Sequence, residues 1–388
     1  MGYGNYFCSH RRYFGPYMVN GIRIKRNRVD KLFLLSVLIL LIVGFFIFTS
    51  ASLGLLAKEK GNFGEVTFNQ TFFGLFLGSI SLIILSRVHY RQWRKYALYI
   101  FLFSVILTIL VWVPFLGFEH NGAKRWISLG PVSLQPAEFL KIGFVIYLAA
   151  WLSGVGKNIG KIEWGLAPLL ILLAIIAAVL VVQPDIGTFV VISSAGFAMF
   201  VAAKAKWRDI LIVILIGMIG FALIAMYKPY IRQRIFTFLD PSVDQQRTSY
   251  QLKQSLIAIG RGGFGGQGFG QSIQKFDFLP EPVGDSIFAV AAEEFGFVGS
   301  VLLILFFLFF TFQGFKIANR SPDLFGGLLT LGIVILILSQ SFFNISAMLG
   351  VLPLSGMPLL FVSHGGTALF FTLSSVGIIL NISRYQSR

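Results

Sequence analysis

Residues 31–52 read KLFLLSVLILLIVGFFIFTSAS. After Lys31 the stretch carries no charge and no proline, and it is apolar on every side of a helix. A run of about 20 such residues matches the ~30 Å hydrocarbon core of a bilayer. In lipid only a helix or a closed barrel satisfies its own backbone polar groups. Barrel strands alternate polar and apolar residues, which this stretch does not, so it reads as a transmembrane helix. The pattern recurs, with spans expected near 31–52, 68–85, 96–115, 135–152, 165–182, 186–203, 210–226, 286–312, 324–343 and 366–382. The expected fold class is an all-α polytopic membrane protein with about ten transmembrane helices.

Composition agrees. The 388 residues are 56% hydrophobic and only 12% charged, against about 25% charged in a soluble domain. A formal net charge of +16 invites a nucleic-acid reading, but the cations sit in short clusters between apolar runs. Arg87, Arg91, Arg94 and Lys95 form one cluster, and Lys204, Lys206 and Arg208 another. This is the positive-inside pattern, which reports orientation. It places both termini in the cytoplasm and predicts no nucleic-acid partner. Residues 1–30 are polar, basic and aromatic without a cleavable apolar core, and read as a disordered cytoplasmic tail, with Met18 as an alternative start. The lone Cys8 offers neither a disulfide framework nor a cysteine metal site. The membrane domain is expected over 31–384, with one long extracytoplasmic loop at about 227–285, a length that usually signals function.

That loop holds Tyr250–Ile259, in which Leu252, Leu256 and Ile259 are placed to face a membrane surface, and a glycine-rich run from Gly260 to Gly270. Gly260-Arg261-Gly262-Gly263-Phe264-Gly265 satisfies the dinucleotide fingerprint on paper, but that motif needs a βαβ setting. A turned external loop is the expectation.

Several ionisable residues stand out. Glu138 and Lys141, three apart on the fourth span, share a helix face. They serve either as an internal ion pair or, through Lys141, as a grip on an anionic substrate. Lys124 and Arg125 precede that span on the outside, against the charge bias. Beside Trp126 they read as interface anchors or as partners of a phosphate-bearing headgroup. Gln183-Pro184-Asp185 interrupts an apolar stretch, with Asp185 expected to cap the following helix. Asp285 follows Glu281-Pro282-Val283-Gly284 and opens the eighth span. It reads either as an N-cap carboxylate or as a general base at the outer surface. Glu293 and Glu294, farther in, require partners.

In order and spacing, Asn121–Lys141, Gln183–Thr188, Tyr250–Gly260, Phe278–Gly299 and the tail Asn344–Arg384 resemble the SEDS proteins, the shape, elongation, division and sporulation glycosyltransferases. The resemblance covers nearly the whole chain after residue 30. Thr237–Pro241, Gln254–Gly260 and Gly270–Phe276 look more like the division members than the elongation members. The resemblance implies a peptidoglycan polymerase acting on lipid II, a disaccharide-pentapeptide on undecaprenyl diphosphate. Asp285 would then be the general base, and Lys124, Arg125 and Lys141 would meet the diphosphate charge. Glu138, Asp185 and Glu281 complete the implied substrate site. A divalent cation, Mg or Mn, is implied by the resemblance alone, as are a class B penicillin-binding transpeptidase and other division membrane proteins as partners. The chain departs from the family pattern in three places. Gly284-Asp285-Ser286 stands for Thr-Asp-Phe, Gln135-Pro136-Ala137-Glu138 for Gln-Pro-Ser-Glu, and Ser363-His364-Gly365-Gly366-Thr367 for Ser-Tyr-Gly-Gly-Ser. His364 is expected to titrate near neutrality or to pack beside the glycines. Away from the resemblance, a transporter or a recruiting scaffold are the competing readings. Charges gathered at one face rather than at the midplane disfavour transport.

Overall fold

The computed structural model describes residues 18–19, 22–23, 29–56, 63–113, 116–120, 123–129, 132–239 and 248–386. Most of the expected N-terminal tail therefore lies outside the described residues. The helices are α1 (Lys31–Leu56), α2 (Phe63–Leu85), α3 (Arg91–Ile109), α4 (Pro136–Val155), α5 (Leu166–Val182), α6 (Ile186–Ala202), α7 (Trp207–Tyr227), α8 (Pro229–Leu239), α9 (Thr248–Gly262), α10 (Gln274–Asp277), α11 (Ile287–Asn319), α12 (Leu324–Met348) and α13 (Gly366–Ser383). Eight of them are long and apolar enough to cross a membrane. The other two expected spans are α5 and α6, each 17 residues. That gives about 25 Å of helix, a little short of the bilayer core.

The helices are apolar all round, so burial rather than amphipathicity tells core from rim. In α13, 89% of the apolar stretch is buried, against 11% in α7. Around α13 stand α2, α4 and α12, while α11 packs between α1, α9 and α12. One departure from the all-α expectation is a small antiparallel sheet before α4, in which β1 (Gly117–His120) pairs with β2 (Ala123–Leu129) and β2 with β3 (Val132–Leu134). Lys124 and Arg125 therefore project from a strand.

Where it is described, the long loop consists of the helices α8, α9 and α10, with turns from Gly263 to Ile273 and after Asp277. Leu252 is buried in the core against α11 and α12, which corrects the expectation that it lies on the membrane surface; Leu256 does stay exposed. The glycine run is a tightly turned plug. Helix α11 breaks at Gly296, where φ is +64°, and the loop backbone supplies the hydrogen bonds the break removes. Gln267 N and Gly268 N donate to the Glu293 and Glu294 carbonyls at 3.0 and 2.9 Å, while Phe297 N and Val298 N donate to Gly263 O and Phe264 O. A Cβ on Gly266 (φ +85°) would stand 2.2 Å from Glu294 O, so only glycine fits there.

Glu293 and Glu294 find their partners here. Lys275, fully buried, donates to Glu294 at 2.8 Å, to Ser50 of α1 at 3.1 Å and to Gly270 O at 2.9 Å. Ser50 also donates to both Glu294 oxygens, and Glu293 accepts from Ser272. Arg261 lies 3.5 Å from Glu293. Burial of charge at such cost requires this degree of pairing, and it staples the loop to α1 and α11.

Candidate active site around Asp285

Between α12 and α13 the chain runs from Leu349 to Gly365 without regular structure, yet Leu354, Met357, Leu359, Leu360, Phe361 and Val362 are buried. Irregular backbone at this depth needs internal partners. Side chains of neighbouring helices supply them. Gln340 Nε2 donates to Pro358 O at 3.1 Å, and Asn344 Nδ2, one turn on, donates to Met357 O at 2.7 Å. Arg234 Nη1 donates to Leu354 O at 2.9 Å.

The same segment holds the stretch that carries Asp285. His364 N donates to Val283 O at 2.7 Å, Ser363 Oγ to Gly284 O at 2.8 Å, and Asn344 Nδ2 to Asp285 O at 2.8 Å. Three successive carbonyls are thus occupied. The peptide units on both sides of the Asp285 Cα are clamped, which fixes its backbone dihedrals and leaves chiefly χ1 to aim the carboxylate. Ser286, not Asp285, occupies the N-cap position of α11. The acid therefore sits just outside the helix, its carboxylate not spent on capping.

Asp285 is half-buried. Loss of solvent and the neighbouring Glu281 carboxylate raise its pKa to about 6, while Arg234 and then Arg125 pull the other way. Arg234 has its own pKa lowered by burial and by the charge of Arg125. Arg125 is anchored on the turn that interrupts the apolar stretch. Its Nε donates to Gln183 O at 3.1 Å, its Nη2 to Pro184 O, and its Nη1 lies 3.9 Å from Asp185. Asp185 caps α6 as expected, accepting from Thr188 N and Oγ1 at 3.3 and 2.9 Å. Tyr230 stands within the field of Arg234, Arg125 and Asp185.

Of the residues singled out in the sequence, the structure brings together Arg125, Asp185, Glu281 and Asp285. Lys124 is exposed on β2. Glu138 and Lys141 form a buried ion pair at 2.7 Å, and Lys141 Nζ also donates to Gln340 Oε1. The pair thus reaches Asp285 only indirectly, through α12 and the 357–358 backbone. Of the two readings of His364, packing rather than titration near neutrality is the one the structure favours. Burial lowers its pKa to about 4, so at neutral pH it is an uncharged ring stacked on Phe48. Arg234, Tyr230, Asn344 and Gln340 were missed. Gln340 and Asn344 left a signal, two amides four apart in an apolar span. Arg234 left none, being one cation among several in a long loop.

Residues 30–388 match the family model of cell cycle proteins named for FtsW, RodA and SpoVE. The chain belongs to this family. It is the SEDS family to which the sequence motifs point. The SEDS chain is 35% identical to stage V sporulation protein E of Bacillus subtilis, over 93% of its length and 99% of that protein's. It is 36% identical to the probable peptidoglycan glycosyltransferase FtsW of Geobacter metallireducens, over 92% and 95%. A solved chain from a peptidoglycan synthase complex that coordinates polymerization and crosslinking superposes with a TM-score of 0.74 at 28% identity, covering 92% of this SEDS chain and 98% of that one.

Proposed function

We propose that this multi-pass membrane protein is a peptidoglycan glycosyltransferase that polymerises lipid II at the outer face of the bacterial cytoplasmic membrane during cell division, with both termini in the cytoplasm. The observation that carries the reading is the Asp285 carboxylate, clamped through its backbone and lying within the field of two guanidinium groups. Its elevated pKa suits a base working near neutral pH. In the reaction, the acceptor sugar hydroxyl attacks the anomeric carbon of the donor. The new glycosidic C–O bond forms as the bond to the diphosphate oxygen breaks, Asp285 takes the hydroxyl proton, and the lipid diphosphate departs. Arg234 and Arg125, with Lys124 at the rim, meet the charge that develops on the leaving group.

Among the described residues no three His, Cys, Asp or Glu gather to hold a metal ion. A divalent cation would be held by the substrate diphosphate and one carboxylate, as Mg²⁺ commonly is. The exposed Glu281 is the group placed to provide it. The ion would share the leaving-group charge, and no step above runs through it. A class B penicillin-binding transpeptidase is the proposed partner, alongside other division proteins of the membrane. The solved relative's place in a complex that couples polymerization to crosslinking supports that choice.

The test is glycan polymerisation from purified lipid II by the parent, Asp285→Ala and Asp285→Asn. Both variants are expected to fold and to lose roughly 10²–10⁴-fold in rate. Full activity in either removes the general-base role, and lipid translocation without polymer would replace the enzyme by a transporter.

A further inference from the structure

Gln70 is 3% exposed in the middle of α2, on a helix otherwise turned largely outward. Both halves of its amide are used on one three-residue segment. Its Nε2 donates to Ser363 O at 3.1 Å, and its Oε1 accepts from Gly365 N at 2.9 Å. The same segment carries the Ser363 hydroxyl and the His364 N–H, the groups that hold Gly284 O and Val283 O. The Gly284 carbonyl belongs to the peptide unit that ends in the nitrogen of Asp285. Gln70 thus stands two hydrogen bonds from that peptide.

Local structure is arranged for this reach. Residues Asn69–Leu77 form a π-helical stretch inside α2, a rare geometry that often marks functional sites. Its first two side chains, Asn69 and Gln70, are both buried. Close helix approach completes the arrangement. A Cβ on Gly74 would stand 3.2 Å from the Gly366 Cα, and one on Gly366 would stand 2.5 Å from Asn69 O.

We propose that Gln70 is a positioning residue for Asp285, fixing the Ser363–Gly365 segment so that the base presents its carboxylate to the acceptor hydroxyl. This rests on the general-base reading of Asp285. Gln70 acts on Asp285 only through the Ser363–Gly365 segment, so its removal is expected to change kcat and leave binding alone.

The experiment uses the full-length protein in detergent with purified lipid II, rates normalised to folded protein, and three variants. Gln70→Leu, similar in size and without hydrogen bonds, is expected to lower kcat by ~10-fold or more, with KM within about 2-fold. Gln70→Glu tests the same point if the leucine variant does not fold. Its protonated carboxyl reproduces both bonds, and burial favours that form, so its deficit relative to the parent shrinks as the pH is lowered from about 8 to about 6. A folded Gln70→Leu with parental kcat overturns the proposal, as does a loss confined to yield and melting temperature. So does a Gln70→Glu deficit that is the same at every pH. Asp285→Asn separates the two ideas: if it is active, the base reading fails whatever Gln70 does. If it is dead while Gln70→Leu runs at full rate, only the positioning role falls.

Discussion

Replacing Arg234 by methionine removes the cation that acts most strongly on Asp285 while keeping an apolar stem in its place. Arg234 Nη2 and Asp285 Oδ2 each lie 3.6 Å from the point where a Cβ on Gly356 would sit. Their separation is therefore at most twice that, about 7 Å. A unit charge at this distance is worth roughly 1–2 kcal/mol at an effective dielectric of about 20 to 40. The lower end applies to a half-exposed carboxylate and corresponds to about one pKa unit. The acid limb of kcat/KM, which reports the free enzyme, is expected near the Asp285 value of about 6 in the parent. In Arg234→Met it moves to about 7, because loss of the cation favours the protonated acid. Below both values ionisation alone makes the variant ~10-fold slower, and above about pH 8.5 that part of the deficit vanishes. Any remaining deficit there measures the lost grip on the diphosphate. Glu281→Gln shifts the limb the other way by relieving like-charge repulsion. The assay is polymerisation of purified lipid II over a pH series at subsaturating substrate. A limb that stays put or moves downward in Arg234→Met refutes this account of the site's electrostatics.

Three further outcomes are expected. Folding raises the Asp285 pKa from its ordinary 3.8 to about 6, so stability is lost as the pH rises between those values and the full cost is present above about pH 6. Asp285→Asn is therefore expected to melt higher than the parent at pH 8, by about half as much at pH 5, and to approach the parent only as the pH falls below the ordinary value of 3.8, in thermal unfolding followed in detergent. In the buried staple, Lys275→Met alone or Glu294→Leu alone strands a charge and is expected to cost about 3–5 kcal/mol, whereas the double variant recovers most of that loss. Additive losses in the cycle would contradict the pairing. Gly266→Ala forces a Cβ against Glu294 O at positive φ and is expected to destabilise by ~2 kcal/mol or more; an unchanged melting temperature would show that the glycine plug is not packed as described.

Much of the fold was legible because a bilayer demands long apolar helices, and those announce themselves residue by residue. The cap at Asp185 was legible for a similar reason, since capping is local. Arg125 and Asp285 drew attention as charges at the edges of spans, and Glu281 through the family resemblance alone. What escaped was whatever depends on one helix meeting another. The break at Gly296 and the glycine loop that repairs it are some 30 residues apart in the chain and have meaning only together. Leu252 follows an amphipathic pattern that suits a membrane surface and a protein neighbour equally, and only packing chose the neighbour. His364 has an ordinary imidazole chemistry until burial removes its charge.

Sequence alone determined that this chain lives in a membrane, how many times it presents an apolar run, and which acid stands at the head of α11, because hydrophobicity and charge placement are properties of single residues. Tertiary structure alone decided that Asp285 is clamped by Asn344, Ser363 and His364, that Arg234 faces it, and that Gln70 reaches toward it from α2. Hydrogen bonds between side chains and backbone far apart in the chain exist only once the helices have packed, and it is those bonds that turn a carboxylate at a helix end into an aimed one.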